Sequence, residues 1–135
     1  MTQIENIRHI LRSYRNVAVV GLSPKRHRAS FEVARYMQAQ GWRIIPINPN
    51  ATEVLGEKAY PSLIEAAKYE RIELVNVFRN SAAVPPVAQE AIAIGAQALW
   101  LQLGIENAEA TAAAQAAGLR VVQNKCLMVE HAAAA

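Results

Sequence analysis

The chain has 135 residues, 53% of them hydrophobic and 19% charged, a composition that allows a buried core and argues against disorder. No apolar run approaches the roughly 18–20 residues of a membrane helix, and Glu5, Arg8, His9 and Arg12 break up any signal-peptide core near the N-terminus. Cys126 is the only cysteine, which excludes a disulfide framework and a cysteine zinc site. These features point to one cytoplasmic domain spanning residues 1–135, with no membrane partner. The net charge of +3 fits a small anionic ligand at least as well as nucleic acid, and the few, scattered aromatic residues offer no base-stacking surface.

In chain order, Thr2-Gln-Ile-Glu5 matches a capping box and Ile4, Ile7, Leu11 and Tyr14 follow at helical spacing, so an amphipathic helix is expected over 2–14. Val17-Ala-Val-Val is a β-branched run that reads as a strand buried on both faces and ended by Gly21. From about Ser30, the spacing of Phe31, Ala34 and Met37 turns helical and runs to about Gln40, with Gly41 as its C-terminal glycine. Arg43–Asn48 is a second strand, stopped by Pro49; Pro46 inside it requires an edge, a strand end or a bulge. Ser62-Leu-Ile-Glu65 is a second capping box, predicting a helix over 62–68. Ile72–Phe78 is a third strand, and Pro85-Pro86 opens a helix that reaches Gly95. Ala98–Gln102 is a fourth strand, Asn107 caps an alanine-rich helix closed by Gly118, and Arg120–Gln123 is a fifth strand. The tail from Leu127 predicts a final helical turn, with Ala132–Ala135 fraying.

Strands alternating with helices at this spacing imply a Rossmann-like, doubly wound α/β fold with five parallel strands and helices on both faces. Ligands of such sheets bind beyond the C-terminal strand ends, where the strand order reverses. The candidate site therefore comprises the Gly21–Ser30 loop, Asn48-Pro49, Phe78-Arg79, Gln102–Glu106 and Asn124–Cys126. Within the loop, a strand, a glycine turn and a helix start place unpaired N–H groups and partial positive charge together, which suits an anion. Ser23 and Ser30 add hydroxyls, and Lys25, Arg26, His27 and Arg28 add positive charge. Any one of these basic residues alone would read as a solvated side chain; the cluster at this turn points to anion binding.

The nucleotide is narrowed by elimination. An NAD site calls for Gly-x-Gly-x-x-Gly and an acidic residue ending the second strand, whereas here only Gly21 stands in that pattern and the strand ends in Asn48-Pro49. The loop also lacks the Gly-Lys-Ser/Thr of an ATP P-loop.

Gly21-Leu-Ser-Pro-Lys-Arg-His-Arg-Ala-Ser30 resembles the phosphate loop of the small bacterial and archaeal CoA-binding proteins. Ile45-Pro-Ile-Asn-Pro49, Leu55-Gly-Glu57, Tyr60-Pro-Ser62, Val77-Phe-Arg79, Trp100-Leu-Gln102 and Cys126-Leu-Met-Val-Glu-His131 follow in that family's order. The same fold forms the N-terminal domain of the succinyl-CoA synthetase alpha subunit, whose phosphohistidine lies in another domain that this chain lacks. The resemblance implies a stand-alone module that binds coenzyme A or a short acyl-CoA across the strand ends. Gly21, Ser23, Pro24, Lys25 and Arg28 would hold the pyrophosphate, with Ser30 at the helix start, and Asn48 and Pro49 would border the adenosine part near the 3′-phosphate. Phe78 and Arg79 would line the crevice; Leu101, Gln102 and Leu103 match the synthetase segment that contacts CoA, and Gly104 lets the backbone approach. Which of Arg26, Arg28, Arg43 and Arg79 meets which phosphate stays open.

Cys126, at the ligand end of the sheet beside Lys125, has two readings. It is a small buried hydrophobe, or, where the CoA arm ends nearby, a thiol able to form a mixed disulfide with CoA. The Glu130-His131 pair invites an acid–base reading, but adjacent helical residues do not face each other. No pair or triad in the chain compels a reaction, and His9 and His27 show no metal-ligand spacing. Binding without catalysis is the expected function. The alternatives are CoA-thiol or acyl-CoA chemistry through Cys126, and a degenerate nucleotide fold serving as an interaction domain.

Overall fold

The structure, a computed structural model, describes residues 1–134. It alternates helices and strands: α1 (Gln3–Ser13), β1 (Asn16–Val20), α2 (Ala29–Ala39), β2 (Arg43–Ile47), a hairpin of β3 (Glu53–Val54) and β4 (Glu57–Lys58), α3 (Leu63–Ala66) and β5 (Leu74–Val77). A 3-10 turn (Ser81–Ala83), α4 (Val84–Ala93), β6 (Ala98–Leu101), α5 (Ala108–Ala116), β7 (Arg120–Val122) and α6 (Leu127–Ala134) complete it. The main sheet has the order β2-β1-β5-β6-β7 with every pairing parallel. This is the doubly wound, Rossmann-like arrangement expected from the sequence. The chain winds outward from β1 to β2, returns to β5 on the other side of β1, and continues outward, so the order reverses between β1 and β5.

Period-two alternation sends the strand residues to two apolar layers. Ala18, Val20, Ile45, Val75, Val77, Leu99 and Leu101 pack with α3, α4 and α5. Val17, Val19, Ile44, Leu74, Trp100 and Val122 pack with α1, α2 and α6. Apart from half-buried Asn16 at the start of β1, the central strands are buried, as strands covered on both faces by helices must be.

Local signals act as read, with instructive exceptions. Thr2 and Glu5 form the full capping box of α1. Pro46 sits on the sheet's edge strand, and its carbonyl faces outward to accept the Tyr60 N–H at 2.9 Å, so its missing donor costs no ladder bond. The second capping box is only half made. Ser62 Oγ accepts from the Glu65 N–H at 3.1 Å, but the Glu65 carboxylate reaches Lys68 Nζ at 2.8 Å rather than turning back, and the helix ends at Ala66. The β3–β4 hairpin has no sequence signal of the Asn-Gly kind; its turn is Leu55-Gly56, both at positive φ. The tail forms an eight-residue helix instead of a single turn, and Ala135 lies outside the described residues.

Asn107 ties three segments near the carboxyl edge of the sheet. Its Oδ1 caps α5 by accepting from the Ala110 N–H at 2.9 Å, its Nδ2 donates to Ser81 O at 2.9 Å, and its N–H donates to Gln123 Oε1 at 3.2 Å. Asn107→Ala is expected to cost about 1–2 kcal/mol. In thermal denaturation followed by circular dichroism this should appear as a fall of roughly 3–10 °C.

Candidate functional site

Three clefts meet at the carboxyl ends of the strands, astride the point where the order reverses. The first, about 370 Å³, is lined by Gly21, Ser23, Lys25, Arg28, Ala29, Ser30 and Phe78. The second, about 410 Å³, includes Gly21, Asn48, Pro49, Asn50, Pro61, Arg79 and Glu90. The third, about 470 Å³ and largely apolar, is bounded by Ala29, Glu32, Val33, Phe78, Arg79, Asn80, Gln102, Leu103, Ile105, Cys126 and Met128. Gly21 is common to the first two, Phe78 to the first and third, and Arg79 to the second and third. One extended ligand can therefore run through all three.

The loop after β1 is held by its own backbone and by two neighbouring segments. Gly21 has φ +86°, and its N–H donates to Ile47 O at 2.9 Å. A Cβ built on it would stand 2.6 Å from Phe78 O, so only glycine lets β1 exit beside β5. Leu22 is fully buried under the loop, and its carbonyl accepts from Asn48 Nδ2 at 2.9 Å. Asn48 Oδ1 in turn accepts the Asn50 N–H at 2.8 Å. The predicted hydroxyls are part of the scaffold: Ser30 Oγ accepts from the Ser23 N–H at 3.0 Å, and Ser23 Oγ from the Lys25 N–H at 3.1 Å. Each hydroxyl keeps its own proton to donate.

Helix α2 begins at Ala29, and its N-cap residue Arg28 makes no side-chain cap, so first-turn N–H groups face the first cleft without a side-chain acceptor. Lys25 and Arg28 line that cleft and form no ion pair among the described residues. Unpaired N–H donors, two free cations and a helix N-terminus are together the chemistry that can hold an anion.

The structure separates the remaining candidates. Pro24 lies exposed in the loop, outside the three clefts. Arg26 and His27 are exposed and line none of them. Arg43 starts β2 at the opposite end of the strand, where it is ion-paired with Glu57 and, at 3.0 Å, with Glu70; it is not a phosphate ligand of this site. Leu101 is fully buried in the core layer beneath α4 and α5, so its side chain does not reach a ligand. Gly104 lies on the exposed rim, its N–H donating to Asn124 Oδ1 at 2.8 Å. Leu103 is 66% exposed at the mouth of the apolar cleft.

Gln102 and Cys126 enter that cleft from the ends of β6 and β7. Beneath them lies Asn76, fully buried in the middle of β5. Its Nδ2 donates to Gln102 Oε1 at 3.2 Å and more weakly to Trp100 O at 3.4 Å, while its Oδ1 has no partner among the described residues. Sequence reasoning passed over Asn76, although a lone amide inside Leu74-Val-Asn-Val77 is itself a signal.

His131 lies away from the clefts, its Nδ1 2.9 Å from the Tyr36 hydroxyl and its ring edge-on to Trp42. This makes it a packing residue between α6 and α2. His9, on α1, is held below the usual histidine range by burial first and then by Arg120 and Arg12.

Comparison with known proteins accords with this geometry. The model of a CoA binding domain matches residues 15–132. The chain belongs to the CoA-binding domain family. The Bacillus subtilis (strain 168) protein YneT is 41% identical over 126 residues, spanning 93% of this chain and 92% of YneT. A solved structure from Pyrococcus horikoshii OT3 superposes with a TM-score of 0.91 at 38% identity, covering 98% of this CoA-binding domain and 92% of that chain. An acetyl-coenzyme A synthetase of Candidatus Korarchaeum cryptofilum shares the fold, with a TM-score of 0.74 at 24% identity over 86% of this chain and 27% of its own. Among the described residues of the domain, no helix is long and apolar enough to cross a membrane.

Proposed function

We propose that this CoA-binding domain binds coenzyme A or a short acyl-CoA along the carboxyl edge of its sheet. The reading rests above all on the run of joined clefts, which changes from cationic at the loop to apolar at Gln102 and Cys126. Coenzyme A has the same order of chemistry, an anionic nucleotide followed by a long, mostly uncharged arm.

The pyrophosphate lies against Gly21, Ser23, Lys25, Arg28 and the α2 N-terminus with Ser30. The adenosine part lies toward Asn48 and Pro49, and the arm passes Phe78 and Arg79 into the groove of Gln102, Leu103 and Cys126. The residues fit such a group: the Cβ-free approach at Gly21 leaves room beside Phe78 O, and the uncapped helix start offers N–H donors. Bound CoA would bring a thiol or thioester. The protein's own groups hold its phosphates, orient its arm and shield its far end from water, and no side chain is assigned a proton-transfer role.

Isothermal titration of the reduced protein with CoA, dephospho-CoA and NAD tests the reading. CoA should bind at least about tenfold tighter than either of the others, since the 3′-phosphate adds a charge-assisted contact. Equal affinity for all three, or none, would remove the assignment and leave the fold.

A further inference from the structure

The thiol of Cys126 is half-buried, and it shares the apolar cleft with a second group that is poised for a ligand. Gln102 is only 6% exposed, yet its amide is half used. Its Oε1 accepts from Asn76 Nδ2 at 3.2 Å and from the Leu127 N–H at 3.4 Å. Because a backbone N–H demands an oxygen, the amide orientation is set and the amino group is turned the other way. That Nε2 has no hydrogen-bond partner among the described residues, and the cleft is the space it borders. Among the described residues only Asn76 Oδ1 is a sealed polar atom without a partner, so Gln102 Nε2 is open to the cleft and can donate to a ligand that brings a carbonyl into the groove. The backbone of Cys126 is fixed beside it. The Cys126 carbonyl accepts the Glu130 N–H at 3.0 Å as α6 begins, and Trp100 Nε1 donates to Lys125 O at 2.8 Å.

We propose that Cys126 is a thiol–disulfide exchange site for the disulfide form of the cofactor, with Gln102 Nε2 positioning the arm through one of its amide carbonyls. This rests on the binding reading above and adds a covalent activity to it. In the exchange, the Cys126 thiol gives up its proton to solvent and Sγ attacks one sulfur of CoA disulfide. An Sγ–S bond forms, the CoA S–S bond breaks, and its electron pair leaves on the second CoA, which takes up a proton as the free thiol. Cys126 and the retained CoA end as a mixed disulfide. The released CoA is reduced, and CoA disulfide is the oxidant.

The test is intact-protein mass spectrometry without reductant, after exposing fully reduced protein to equal concentrations of CoA disulfide or glutathione disulfide. CoA disulfide should label the protein roughly tenfold or more faster, because binding places its sulfur next to Cys126. The added mass should be one CoA, removable by dithiothreitol and absent in Cys126→Ser. Gln102→Glu keeps an oxygen toward Leu127 and Asn76 but withdraws the donor, so the ratio of the two labelling rates should fall. Equal wild-type rates for the two disulfides would overturn the proposal and make Cys126 an ordinary accessible thiol. No labelling by a protein that still binds CoA in the titration would overturn the exchange and leave the binding reading intact. Failure of that titration would remove both.

Discussion

Gly21→Ala is expected to lose measurable CoA binding and to lower the melting temperature by on the order of 5–10 °C. Two effects combine. The left-handed backbone at φ +86° costs an L-residue about 1–2 kcal/mol. The new Cβ would also stand 2.6 Å from Phe78 O. That carbonyl has little freedom, since the Phe78 N–H donates to Val20 O at 2.9 Å at the end of the β1–β5 ladder. The strain must therefore go into the loop and the walls of all three clefts. Gly118→Ala is the matched control: its φ is +93°, but nothing lies within 4 Å of its added Cβ. It should lose some stability and keep its affinity. Wild-type affinity in Gly21→Ala would show that the loop geometry does not shape the site.

Arg28→Ala is expected to weaken CoA binding roughly ten- to hundredfold, the effect of losing one charge-assisted contact of about 1.5–3 kcal/mol. Folding should be untouched, because the side chain is exposed, makes no helix cap and has no ion-pair partner among the described residues. The loss should shrink as salt rises, since an exposed cation is screened. Arg26→Ala, two residues away but outside the clefts, should bind like the wild type. Isothermal titration of both variants at low and moderate salt gives the comparison. Equal losses would mean that the loop acts only through its net charge.

What the sequence made legible is what local rules control. A β-branched run, a glycine and a helical period located the loop at the end of β1, because period and glycine conformation act within a few residues. Parallel βαβ winding then brought Phe78, Gln102 and Cys126 to the same edge. What it did not make legible depends on partners far along the chain. Asn48 holds the Leu22 carbonyl 26 residues away, and Asn76 on β5 donates its side-chain amide to Gln102 at the end of the neighbouring β6. Arg43 belongs to Glu57 and Glu70 instead of a phosphate. Leu101 shows the limit of carrying a segment over whole. Within a strand and its exit, alternate residues face opposite layers, so Gln102 meets the cleft while its neighbour fills the core. The sequence shows Ser23 and Ser30 as hydroxyls of the loop, and their work in bracing it emerges only from the three-dimensional hydrogen bonds.

The central claim is the place of the ligand, and amide chemical-shift mapping with CoA tests it most directly. Shifts should concentrate on Gly21–Ser30, Asn48, Phe78–Arg79, Gln102–Gly104 and Cys126, with α1 and the Arg8, Arg12 and His131 cleft unmoved. Shifts gathered around Arg8, Arg12 and His131, with the Gly21 loop silent, would contradict it.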